Sequence, residues 1–300
     1  MTESTDRTAS TEQPWTVLRL LEWTTDFFKQ RGSASPRLDA EVLLAHAREC
    51  SRIELYTAFE QEPSPEERLA FREMVRRRGE GTPVAQLVGY REFYSLRFRV
   101  NEDVLIPRPE TEHLVVEAID CSKSLSNDSL RIADIGTGSG AIAVTLAKYL
   151  PKAAITAVDC SEAALKIASW NATQHEVDDR VEFVHSDLFK ALDREQPFDL
   201  ICSNPPYISQ SEYEALDSTV REYEPKQALL AGSQGTEVID AILSDAPDYL
   251  VSGGQLILEL SPMIADACVA AAQQQQGGYE NIRCIKDLEG HKRILSMTRR

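Results

Sequence analysis

The stretch "LRIADIGTGSGAIAVTLA", residues 130–147, begins an alternation of strands and helices that leaves this chain few folds. Apolar runs predict strands near 130–134, 155–159, 181–185, 198–203, 254–260, 281–285 and 292–297. Helical patterns near 139–150, 162–175, 235–250 and 262–275 lie between them. Strands joined through helices pair in parallel, because each helix returns the chain to the same end of the sheet. The expected fold class is α/β, a doubly wound, mostly parallel seven-stranded sheet of Rossmann-like type. The last two strands have no helix between them, so one antiparallel edge is expected.

Upstream the pattern changes. Residues 1–13 are polar and predict a disordered tail. Residues 14–85 predict a small all-helical domain. Its first helix carries Trp15, Leu18, Leu21 and Trp23 and closes at Gly32. Its second opens at Ser35-Pro36, with Leu38, Val42, Leu43 and Ala45 on one face. A third begins at Ser64-Pro65-Glu66-Glu67, where a capping serine, a first-turn proline and a glutamate three residues on mark a helix start. It runs to about Arg78 and stops at Gly79 and Gly81. Residues 86–106 predict a β-hairpin linker, and 107–300 the α/β domain, opening on a helix after Pro109.

Charge narrows the function. The chain of 300 residues carries a formal net charge of -16, which argues against a large nucleic-acid or anionic-membrane footprint. Residues 1–80 are nearly balanced at -3, and the remainder carries -13. The triplet Arg76-Arg77-Arg78 is either a solvated helix end or a patch that meets a partner. Six scattered cysteines without a C-x-x-C pair suit reduced thiols better than a zinc site or a disulfide frame. No apolar core for a signal peptide opens the chain, and no apolar run approaches the ~20 residues of a membrane span. A soluble cytoplasmic protein is expected.

Within the first strand-turn-helix, Gly136, Gly138 and Gly140 let the backbone approach a ligand with no Cβ in the way. Their spacing is G-x-G-x-G, not the G-x-G-x-x-G of a dinucleotide fold. Asp134 ends the strand before them, and Asp159 ends the next strand, where a carboxylate can accept from ribose hydroxyls. Asp187, in "HSDLF" after the third strand, is placed to meet an adenine amino group. Taken alone, Asp159 or Asp187 has a lesser alternative, that it merely caps the helix that follows. No phosphate-loop lysine follows the glycines, and Asp134 would repel a pyrophosphate. A cationic nucleoside such as S-adenosylmethionine fits better. The candidate cofactor set is Asp134, Gly136, Thr137, Gly138, Ser139, Gly140, Asp159, Asp187, Leu188 and Asn204.

The segment "LICSNPPYIS", residues 200–209, leaves a buried strand and at once fixes its backbone. Pro205 and Pro206 lock two successive φ angles, remove two donors and keep the residues before them extended. The stiff corner holds the Asn204 side chain and the Asn204 and Pro205 carbonyls in place, with Tyr207 as an aromatic wall. Fixed acceptors beside an aromatic face suit a planar group with N–H donors.

With these residues on view, the chain closely resembles the release factor glutamine methyltransferases. "DIGTGSG" looks like the first motif of S-adenosylmethionine-dependent methyltransferases, and "SNPPY" like the motif of those that methylate planar nitrogens. "GYREFYSLRF", "LIPRPETE" and "REYEPKQAL" add to the likeness, which covers about 14 to 297. It implies a class I methyltransferase fold. It also implies transfer of a methyl group to the side-chain amide nitrogen, N5, of the glutamine in a release factor's Gly-Gly-Gln loop. The Asn204 oxygen and the Pro205 carbonyl would each accept one amide hydrogen, Pro206 would hold the corner and Tyr207 would pack on the glutamine. No general base is evident, so the proton would leave to solvent. The product would be S-adenosylhomocysteine, no metal is implied, and the helical domain would dock the release factor. A monomer is expected, acting without nucleic acid or membrane.

Arg108 and Glu110 either line the cofactor site or belong to a helix start with Thr111 near its cap. Leu188 stands where relatives commonly carry an aromatic residue, which bears on cofactor stacking, and Glu259-Leu260-Ser261-Pro262 replaces an expected Glu-x-Gly. "LEGHKRIL" replaces an Asp/Asn-rich ending. The enzymatic rival is a methyltransferase for exocyclic amino groups, adenine N6 or cytosine N4, which offer the same planar NH2. An NAD-type dehydrogenase has the wrong glycine spacing, and a cofactor-free scaffold would not need the strand-end acids and loop glycines.

Overall fold

The computed structural model describes residues 14–125, 127, 129–275 and 278–300. The expected disordered tail, 1–13, lies outside them. The chain divides into two compact units that meet in sequence between Val88 and Gly89.

The first unit is helical. The helices Val17–Gln30, Pro36–Ala47 and Pro65–Gly79 start close to where their signals stand. Ser64 and Glu67 form the reciprocal capping box, which satisfies two backbone N–H groups that the helix cannot. Two further helices, Arg52–Thr57 and Val84–Val88, are too short to set up a period, and the second occupies part of the span expected for the hairpin linker. The buried stripe of the first helix is Val17, Leu21, Thr24 and Phe28, a spacing of four, three and four. Trp23 lies off that stripe and is exposed, stacked on Phe27 at 5.4 Å. Leu38, expected on a buried face, is likewise exposed, and Ala40, Leu43 and Leu44 pack in its place.

Glu41 is the polar exception in this core. Its carboxylate accepts from Tyr56 Oη at 2.5 Å, Arg37 Nε at 2.7 Å and Arg52 Nη2 at 2.8 Å. Burial pushes its carboxyl up, but these three donors together outweigh burial and hold it below the usual carboxylate range. A depressed carboxyl stabilises the fold above its unfolded pKa, near 4.5, and loses that contribution as pH falls through the lower folded value. Glu41→Gln is therefore expected to cost about 1–3 kcal/mol at pH 7, and progressively less below pH 4.5. Urea unfolding of wild type and variant at pH 7 and pH 3 checks this; an equal gap at both would contradict it.

The second unit opens with a hairpin, Tyr90–Phe93 against Leu96–Arg99. Tyr94 and Ser95 both take positive φ, the primed two-residue turn whose twist matches the strands. A seven-stranded sheet follows: β1 Arg131–Ile135, β2 Ala154–Asp159, β3 Val181–His185, β4 Phe198–Ser203, β5 Leu250–Glu259, β6 Tyr279–Lys286 and β7 Lys292–Arg299. Their spatial order is β6-β7-β5-β4-β1-β2-β3. The first five run parallel, and β7 is antiparallel to both β5 and β6, the antiparallel edge that the sequence predicts.

Alternation along the strands splits the core between the two faces. Ile132, Leu200 and Cys202 pack on one side with Leu114, Ile142 and Leu146. Ala133, Ile135 and Ile201 pack on the other with Ile239, Ile242 and Leu256. Buried Asn171 ties the hairpin to the loop after β1. Its amide accepts from Arg99 N–H at 2.8 Å and donates to the carbonyls of Arg99 and Ser139. Chain order reverses between β1 and β4, which in an open α/β sheet puts the ligand crevice at their carboxyl ends. No described helix is long and apolar enough to cross a membrane.

Candidate active site

At that crevice lies a cavity of ≈ 220 Å³. Gly136 and Gly138 line it, and a Cβ on either would meet no protein atom within 4 Å, so the loop leaves open space where a ligand can approach backbone. Gly140 does a different job: a Cβ there would sit 3.1 Å from the Cβ of Ala168, so its bareness lets two helices pack closely. The N–H groups of Gly136 and Thr137 both donate to the Val158 carbonyl at 2.8 Å, anchoring the loop to β2.

Asp159 ends β2 and faces the cavity. One of its oxygens accepts from Gly138 N–H at 2.8 Å and the other from Ser161 N–H at 2.9 Å. The next helix is capped by Ser161, not by Asp159. Asp187 also lines the cavity and pairs with Lys190 at 2.5 Å near the surface. Leu188 sits on the wall at positive φ, a strained backbone for a non-glycine residue. Val158, Ala228, Leu230 and Val238 supply apolar surface, and three aspartates, Asp103, Asp159 and Asp187, are acidic. Among the described lining residues there is no lysine or arginine.

Four of the candidate cofactor residues are not on this wall. Asp134, Thr137, Ser139 and Gly140 lie within or beneath the loop. Asp134 is wholly buried, accepting from Thr137 Oγ1 at 2.6 Å and Ala143 N–H at 3.2 Å, while its Oδ1 has no partner among the described residues. Burial, chiefly, pushes its carboxyl up to about 7. In this position it braces the loop from below.

After β4, Ser203 Oγ donates to the Ile135 carbonyl at 2.6 Å and holds the crossing to the proline corner. Asn204 and Pro206 line the cavity, while Pro205 is buried. No described backbone N–H donates to the carbonyl of Asn204 or Pro205. Asn204 Nδ2 donates to Thr111 Oγ1 at 3.1 Å, which leaves its Oδ1 as the free end of the amide. Thr111 makes no helix-cap bond. Tyr207 Oη donates to Glu259 Oε1 at 3.3 Å. Burial, and then the Glu259 charge, push the Tyr207 hydroxyl up, so it stays a neutral donor.

Arg108 and Glu110 do not line the cavity; Asp103, Val104 and Leu105 do. Arg108 pairs with buried Glu224 at 2.5 Å, and the other Glu224 oxygen accepts from Ile106 N–H, so two segments flanking the crevice are tied together. Gly235, at φ +88°, packs against the proline corner, where a Cβ would stand 2.8 Å from the Tyr207 carbonyl oxygen. Gly235→Ala is expected to lower stability by about 2 kcal/mol from left-handed strain and crowding together, roughly 4–8 °C in Tm. It is also expected to lower kcat as Tyr207 shifts; calorimetry with steady-state kinetics checks both. An unchanged Tm would contradict the contact.

A family described as "PrmC N-terminal domain" matches residues 19–89, and one described as "Methyltransferase small domain" matches residues 113–223. A release factor glutamine methyltransferase from Rhodopirellula baltica is 63% identical over 96% of this chain and 98% of its own length. The chain belongs to the release factor glutamine methyltransferase family. A second relative of that name, from Chlorobaculum tepidum, is 40% identical over 95% of this chain and 98% of its own. Among solved structures, the hMettl16 catalytic domain in complex with MAT2A 3'UTR hairpin 6 superposes with a TM-score of 0.55. It is 18% identical, over 76% of this chain and 81% of that chain, a likeness of fold alone.

Family membership leaves the roles of single side chains to geometry. The strand-end acids and the proline corner are visible from sequence because each motif is local. Thr111, Glu259 and Glu224 are brought in by the fold, and only their polar character near a strand or helix end could have hinted at them.

Proposed function

We propose that this chain transfers a methyl group from S-adenosylmethionine to N5 of the glutamine in the Gly-Gly-Gln loop of a peptide chain release factor. The observation that carries the substrate side is Asn204 on the cavity wall, its NH2 end held by Thr111, which leaves the amide oxygen without a described partner. The donor side rests on a wall of aspartates with no described cation, open space over Gly136 and Gly138, and an apolar slab for a nucleobase. Such a wall favours a cationic nucleoside over an anionic one.

S-adenosylmethionine, when bound, supplies an electrophilic methyl on a sulfonium. Gly136, Gly138, Asp159, Asp187, Leu188 and Asn204 are the residues that would hold it. A primary amide nitrogen is a weak nucleophile because its lone pair is delocalised into the carbonyl. Asn204 Oδ1 and the Pro205 carbonyl accept its two hydrogens, fix the nitrogen and favour the positive charge that grows on it. Pro205 and Pro206 keep those acceptors from relaxing toward each other. Tyr207, tethered through its hydroxyl, offers its ring to the glutamine and limits the ways the amide can turn. No base need be recruited: once methylated, the nitrogen carries an acidic proton that solvent can take.

The helical unit docks the release factor in this account, and the enzyme works as a cytoplasmic monomer without metal or nucleic acid. Among the described residues no group of three or more His, Cys, Asp or Glu could hold a metal ion. A labelled-methyl assay tests the substrate class, with a release factor in one arm and a duplex oligonucleotide in the other at several salt concentrations. Label on the release factor alone is expected. Label on the oligonucleotide alone would favour the exocyclic-amino reading instead.

A further inference from the structure

The helical unit holds a cavity of its own, an open groove of ≈ 530 Å³ lined by the helices Val17–Gln30 and Pro65–Gly79. The first helix gives it Leu20, Trp23 and Phe27, at i, i+3 and i+7, and Trp15 stands just ahead of that helix. The second gives it Phe71 and Val75, both buried, and Arg68, Arg72 and Arg76, one turn apart. Trp23 stacks on Phe27 at 5.4 Å and meets Trp15 edge-on at 6.4 Å, yet is 52% exposed. Phe27 is set in turn by the far helix, where a Cβ on Gly79 would stand 2.8 Å from its ring. Single exposed rings are ordinary, but a contiguous row of them along a groove marks an association surface. We infer that this groove docks an acidic amphipathic helix of the release factor, its apolar stripe laid on Trp15, Trp23 and Phe27 and two carboxylates one turn apart facing Arg68 and Arg72. This rests on the release factor being the substrate.

Charge selects the occupant. Three of the lining residues are arginine and none is acidic, in a chain of formal net charge -16. Arg76 is already engaged by Glu73 and Glu80, at 2.6 Å each, and Arg78 by Asp39 at 2.9 Å. The sequence triplet is therefore largely tied down. Arg68 and Arg72, one and two turns upstream of Arg76, have no ion pair and no side-chain hydrogen bond among the described residues. The donor cavity, with its three aspartates, repels an acidic segment, and this groove attracts one. A helix suits it because residues three and four apart share a face, so one helix offers both the apolar stripe and the carboxylates at the spacing the groove repeats. Nucleic acid fits less well: bases could stack on the rings, but each nucleotide brings a phosphate to only two open cations.

A second attachment is what a Gly-Gly-Gln target calls for. Two of its three residues have no side chain, so the loop alone offers the proline corner little to recognise. Holding the same protein elsewhere raises the effective concentration of the loop without changing the chemistry. The groove should therefore act on KM and leave kcat alone.

The test sets a whole unmodified release factor against a short synthetic peptide carrying the Gly-Gly-Gln loop, both with the full chain and saturating donor. Trp23→Ala is expected to raise KM for the whole factor about 10- to 100-fold. Arg68→Gln with Arg72→Gln keeps most of the stems, removes the charge, and is expected to raise it about 5- to 20-fold. In both variants kcat should stay within about threefold of wild type, the peptide should be methylated as before, and Tm should stay within about 2 °C, as for surface changes generally. Independently, calorimetry should show release factor affinity falling as salt rises from about 50 to 300 mM, and falling much less in the arginine variant. The inference is overturned if both variants keep the wild-type KM, or if the peptide suffers as much as the whole factor. It also falls if the variants lose affinity for a single-stranded RNA and keep it for the release factor. Groove-dependent binding of a release factor that is never methylated would support the docking and sink the functional proposal. A factor that neither binds nor is methylated would sink both.

Discussion

Asn204→Ala is expected to lower kcat by about 100- to 1,000-fold, roughly 3–4 kcal/mol of transition-state stabilisation. The change removes the one side-chain acceptor that the corner turns toward the cavity, so the target nitrogen loses both its alignment and the compensation for its growing charge. Little else should change. Asn204 packs no large apolar area, and its one described side-chain hydrogen bond is the single contact to Thr111. Donor affinity by calorimetry should move far less than kcat, and Tm should stay close to wild type. A variant that keeps kcat but binds the donor a hundredfold more weakly would recast Asn204 as a cofactor ligand.

The second large effect falls on the other side of the crevice. In Asp159→Ala two backbone donors, Gly138 N–H and Ser161 N–H, lose their acceptor, and the cavity loses its best-placed carboxylate for sugar hydroxyls. Each unsatisfied donor costs about 1–3 kcal/mol where water cannot reach it. Part of that returns as water enters the emptied space. Donor Kd is expected to rise about 10- to 100-fold, while kcat at saturating donor changes only a few-fold, because the proline corner stays intact. Asp159→Asn keeps one oxygen and should lose less. Titration calorimetry reads both; an unchanged Kd in Asp159→Ala would remove Asp159 from the donor site.

Most of the α/β unit was legible because its signals are local. β3 and β4 lie at the residues where apolar runs bounded by turns put them. The apolar run over 254–260 starts β5 too late; the strand runs from Leu250 through both glycines, with Gly253 at φ +80°. The helices Gln210–Ala215, Ser218–Arg221 and Lys226–Leu229 were not legible, since none is long enough to show a period. The same divide runs through the site. "DIGTGSG" and "SNPPY" announce themselves within a few residues, whereas Thr111 meets Asn204 across 93 positions. Asp134 reads in sequence as one of three equivalent acids. Burial sets it apart, and burial is a property of the closed fold.

The measurement that bears most directly on the central claim is peptide mass spectrometry of an unmodified release factor after incubation with this enzyme and S-adenosylmethionine. One added methyl group is expected, on the side-chain amide of the Gly-Gly-Gln glutamine, and its loss with Asn204→Ala. A methyl group on any other residue, or an unmodified release factor beside a methylated oligonucleotide, would contradict it.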